Sequence, residues 1–98
     1  MKPLTFTGKL WKWQGGKAAW YFVTLPEKPS QEIKFAQGPR RGFGAVKVDV
    51  TIGASRWQTS IFPYAQAKAY ILPVKAAVRR AEKLASGKPV KVKLAFAR

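Results

Sequence analysis

The chain contains no cysteine and no histidine, and it sets only 4 acidic residues against 19 lysines and arginines. Without thiols or imidazoles there is no disulfide, no thiolate nucleophile, no imidazole base and none of the usual zinc, copper or haem ligation. Most enzyme chemistry is thereby removed, so no enzyme is expected, and no metal or cofactor with it. No apolar run is long enough to cross a bilayer. The opening MKPLTFTGKLWKW never gathers the continuous apolar stretch of a signal peptide. The expectation is a soluble, cytoplasmic protein that makes no membrane contact.

What is present is a chain of 98 residues with 47% hydrophobic and 13% aromatic content, too apolar for a disordered segment. Its length suits one domain over residues 1–98. The formal net charge of +15 attracts polyanions and repels itself. Nucleic acid is therefore a possible partner from composition alone, and a soluble basic protein with no specific ligand is the plainer alternative.

Hydrophobic patterning gives the elements. LTFTGKLWKW (4–13) and AAWYFVTL (18–25) are aromatic and β-branched runs joined by QGGK, which predicts a hairpin. In EKPSQEIKFAQGP, Pro29 and Ser30 suit a helix start, with Glu32 in the first turn and Gly38 as a stop. FGAVKVDVTI (43–52) alternates, with Val46, Val48, Val50 and Ile52 on one face. RWQTSIF (56–62) returns after Gly53 with Trp57, Thr59 and Ile61 together, a second hairpin. Pro73 opens a helix that Gly87 closes, and VKVKLAF (90–96) alternates as a last strand. The expected architecture is mainly β (α+β): a small, partly open antiparallel or mixed β-barrel with two helices, in the order ββαββαβ.

Three stretches bear on function. RGFGAVKV (41–48) partly matches the RNA-recognition-motif signature, but Ala45 and Val48 stand where aromatics belong, and a glycine-bracketed bend is favoured. Trp11 and Trp13, two apart with Lys12 between them, share the polar face of their strand with Thr5, Thr7 and Lys9. They are read as edge packing or as an aromatic platform for single-stranded nucleic acid. In LPVKAAVRRAEK (72–83), Val74, Ala77, Val78, Ala81 and Ala85 form a narrow apolar stripe. Lys75, Arg79 and Lys83 recur every fourth residue on another face, with Arg80 beside them and only Glu82 to offset them. Lys75 lies in the first turn, where an anion would be preferred, so this face is either solvated surface or polyanion contact.

TSIFPYAQAKAYILPVKAAVRRA (59–81), together with AWYFVTLP (19–26) and RGFGAVKVDVTIG (41–53), resembles the domain-of-unknown-function family numbered nineteen-oh-five. The resemblance covers nearly the whole chain. The segments Thr59 to Pro63 and Tyr70, Leu72, Pro73, Lys75, Val78 and Arg79 carry it. The chain departs from the pattern at Gly87, Lys88 and Pro89, where Gly-Asp is usual, and at Lys68, where glycine is usual. The resemblance implies a barrel of the double-split class, which also holds AbrB-like and MazE-like DNA-binding domains. It further implies a bacterial setting in which some members are fused to YdeI-like bacteriocin-protection domains. It implies no activity, since fold likeness does not carry function.

The functional expectation is nucleic-acid or polyanion binding without base specificity through Arg40, Arg41, Lys47, Lys75, Arg79, Arg80 and Lys83. The alternative is a protein-interaction or accessory module docking through the aromatic hairpin, as monomer or homodimer. Ser60, Tyr64, Tyr70, Lys75 and Asp49 are the only groups suited to catalysis, and no triad can be read from their spacing.

Overall fold

A computed structural model describes residues 3–37, 44–64 and 69–97 of the chain. Strands β1 (Leu4–Gly15) and β2 (Ala18–Thr24) form the first hairpin and helix α1 (Glu27–Gln37) follows. Strands β3 (Val46–Ile52) and β4 (Ser55–Tyr64) form the second hairpin. Then come β5 (Ala69–Pro73), helix α2 (Ala76–Ala81) and β6 (Pro89–Phe96). The strands close a barrel in the order β1-β2-β5-β4-β3-β6, every neighbouring pair antiparallel.

The expected small, mainly β barrel with two helices forms, and a strand beyond the expected order closes it. Residues 69–73, read as the approach to a helix, are β5, which bridges β2 and β4. Pro73 ends that strand instead of opening a helix, and the next backbone hydrogen bond runs from Val74 N–H to the Tyr21 carbonyl at 2.9 Å. A proline is tolerated there because β4 pairs only with Ala69–Ile71, so Pro73 has a strand neighbour on the β2 side alone, as in an edge strand.

The alternation read from the sequence fills the barrel. Phe6, Leu10, Val23, Val46, Val48, Val50, Ile52, Ile61, Leu72, Val90, Val92 and Leu94 are all buried in one core. Strand β1 changes partner partway along, pairing with β6 up to Lys9 and with β2 from Leu10 onwards. The change needs Gly8, because a Cβ there would lie 2.7 Å from Val23 Cγ1 and 2.8 Å from the Thr24 carbonyl oxygen.

The helices cover opposite ends. Helix α1 begins at Glu27, ahead of the expected Pro29 and Ser30, since Pro29 is harmless in a first turn whose N–H groups have no partner within the helix. Ser30 is consequently inside the turn and buried. Its hydroxyl donates to the Leu25 carbonyl at 3.4 Å and accepts the Tyr70 N–H at 3.2 Å, tying α1 to the start of β5. Helix α2 follows the other end of β5. It stops at Ala81, short of the expected Gly87, because Lys83 takes a left-handed conformation (φ 55°). Lys83 N–H bonds to the Arg80 carbonyl at 3.4 Å and Leu84 N–H to the Arg79 carbonyl at 2.9 Å, the paired bonds of a Schellman ending.

The apolar stripe expected on this helix is narrower than the spacing implied. Val74 and Val78 are buried, whereas Ala77, Ala81 and Ala85 are exposed, and Leu84 is half-buried in their stead.

Candidate functional site

Strands β1 and β4 each serve both halves of the barrel, one half being β1-β6-β3-β4 and the other β1-β2-β5-β4. Their outward residues change character along their length. On β1 the series runs Thr5, Thr7, Lys9, Trp11, Trp13, and on β4 Arg56, Gln58, Ser60, Phe62, Tyr64. The first half of the barrel is therefore polar and basic outside, and the second half aromatic.

On the basic half, register aligns Thr5, Lys93, Thr51 and Arg56 across four strands. With strands spaced about 4.8 Å apart, Lys93 and Arg56 stand ~10 Å from one another across Thr51. Lys91 lies opposite Thr7, and Lys47 opposite Ser60. Lys9, Lys47, Arg56, Lys91 and Lys93 are all exposed, and Asp49 is the carboxylate among them.

The aromatic half carries a groove of about 460 Å³ lined by Trp11, Trp13, Trp20, Phe22, Phe62, Tyr64, Ile71 and Pro73. Trp11 is its fixed wall. The indole N–H donates to Thr24 Oγ1 at 2.8 Å, and its ring centroid lies 5.1 Å from Phe22 and 5.8 Å from Tyr64. Trp13 and Trp20 face one another across the hairpin and remain 49% and 54% exposed. Together they form a contiguous exposed apolar patch.

The residues expected to bind an anion fall in different places. Arg40 and Arg41 lie outside the described residues. Lys47 joins the basic half of the barrel. Lys75 precedes α2 as its N-cap residue, its Nζ 6.0 Å from the centre of the Trp57 ring. Arg79 is half-buried: its guanidinium carbon sits 3.7 Å above the Tyr21 ring, and its Nε donates to the Val74 carbonyl at 3.3 Å. Its contacts give it a packing role, holding α2 against the first hairpin. Arg80 and Lys83 are exposed, but the fourfold row expected on one helix face does not form, since Lys75 and Lys83 fall outside the helical residues. Glu82 does not offset Arg79. It turns to the β3–β4 turn, where it accepts the Ser55 hydroxyl at 2.8 Å and packs over Gly53.

Of the expected platform, Trp11 proves largely a packing residue and Trp13 an exposed one. Sequence reasoning set Lys9 beside the two tryptophans but missed Arg56, Lys91 and Lys93, and on the aromatic half Trp20, Phe22, Phe62, Tyr64, Ile71 and Pro73. Their alternation was visible strand by strand. The register that brings them together joins segments up to 90 residues apart, as at Leu4 and Leu94, and leaves no local mark.

A family model described as Domain of unknown function (DUF1905) matches residues 6–94. The chain belongs to this family. The match spans every strand of this DUF1905 barrel, from Phe6 in β1 to Leu94 in β6. Among curated proteins none matches the chain. No helix among the described residues is long and apolar enough to cross a membrane.

Proposed function

We propose that the protein binds nucleic acid, or another polyanion, on the outward face of the β1-β6-β3-β4 half of the barrel, without reading base identity and without catalysis. One observation supports this reading above the rest: Lys9, Lys47, Arg56, Lys91 and Lys93 are exposed on that half, with Asp49 and, at the β3–β4 turn, Glu82 as their neighbouring carboxylates. Like charges on one sheet face repel, and a merely soluble surface would intersperse acids among them. A phosphate chain relieves the repulsion and releases counterions as it does so. Arg80 and Lys83 extend the same field, because they flank Glu82, whose bond to Ser55 brings the end of α2 beside Arg56.

The test is titration of labelled single strands and duplexes at several salt concentrations. If about five phosphates are neutralised, log affinity falls with log salt at a slope near −4.5 on duplex and about −3.5 on single strands. Lys91→Ala and Lys93→Ala each flatten that slope by about one unit or slightly less and weaken all sequences alike. Lys28→Ala and Lys34→Ala, on α1, leave it unchanged. Absence of binding at low salt ends the proposal.

A further inference from the structure

We infer that the aromatic groove on the β1-β2-β5-β4 half is a stacking site for unpaired nucleobases, which makes the protein prefer single strands over duplex. The inference rests on the polyanion reading and adds a second surface to it. Strands β1 and β4 carry the argument, because each runs without interruption from the basic half into the groove. Along β1 the step is from Lys9 to Trp11 and Trp13, and along β4 from Arg56 to Phe62 and Tyr64. A strand whose phosphates follow the cations is led by those two edges to the groove, where its bases meet flat rings. A duplex has its base faces stacked internally and offers the groove nothing.

The groove suits bases better than the other occupants available to an apolar surface. Its volume of about 460 Å³ falls within the range of small-ligand sites, ~300–1,000 Å³. Trp13 and Trp20 present half-exposed ring faces, which accept any base because every base has a π-face. A second copy of the chain would bring another +15 to the contact.

The experiment compares a twelve-nucleotide oligothymidylate with an abasic strand of equal length and charge, following both anisotropy and tryptophan emission. The base-bearing strand is expected to bind roughly five- to 150-fold more tightly for each stacked base and to quench the tryptophans, while the abasic strand binds without quenching. Trp13→Ala combined with Trp20→Ala is expected to lower the base-bearing strand to the abasic level and leave inorganic polyphosphate binding unchanged. Trp13→Phe retains most of the difference. Equal affinity for the two strands, or quenching without any affinity difference, overturns the inference while leaving the polyanion reading intact. A dimer in sedimentation that the double variant dissolves, with no preference for bases, assigns the groove to a second copy and overturns it as well. Failure of both strands and of polyphosphate to bind at low salt removes the polyanion reading and this inference with it.

Discussion

Ser30 is the one buried polar side chain among the described residues, and its environment explains why a hydroxyl sits in an apolar core. The Tyr70 N–H points at its oxygen, and Tyr70 lies on the strand that closes the barrel. Ser30→Ala leaves that N–H unpaired and out of reach of water. The expected cost is about 1–3 kcal/mol of unfolding free energy, read as a lower urea midpoint at unchanged slope. Arg79 teaches a related lesson about charge. Its position in a run of cations suggests a phosphate contact, yet its guanidinium lies on Tyr21 and its Nε is engaged by a carbonyl. Sequence shows the charge of such a side chain but not which ring it reaches, because that ring is 58 residues away.

At the scale of elements, helix α2 carries a stored strain at its end. Lys83 holds φ at 55° in a place that glycine normally fills. Lys83→Gly should raise stability by about 1 kcal/mol in chemical denaturation, since the left-handed conformation penalises a side chain by roughly that amount. The two hairpins, the first helix and the last strand were legible in the sequence because each combines local alternation with a glycine or proline boundary. Strand β5 was not. Tyr70 and Leu72 face the core while Ile71, buried as well, forms part of the groove floor, so both faces are apolar and no alternation appears. Pro73 then imitates a helix start. The site was legible to the same extent: which residues point outward on each strand could be read, but not which strands lie side by side.

For the whole molecule, the charge is large relative to the size. The longest dimension is 35 Å, close to the screening length of about 30 Å at 0.01 M salt, so every cation feels nearly every other. At about 0.15 M the length falls to roughly 8 Å and only neighbours interact. Raising salt over that interval should therefore raise the melting temperature by several degrees, a sign opposite to that of a fold held together by surface ion pairs. Scanning calorimetry without any nucleic acid present checks it. Under the proposed function the same salt range weakens phosphate binding, so stability and affinity would move in opposite directions.

Closure of the barrel joins β1 to β6, with Leu4 opposite Leu94. During synthesis at about 5–20 residues per second, the flank of β1 that awaits β6 stays uncovered for roughly 4–15 s after Gly15 has emerged. Such a long-range pairing also slows folding itself, because the loop must close before the contact rewards it. A newborn chain thus spends seconds with one flank of its first strand bare, and any slowing of elongation lengthens its exposure to aggregation.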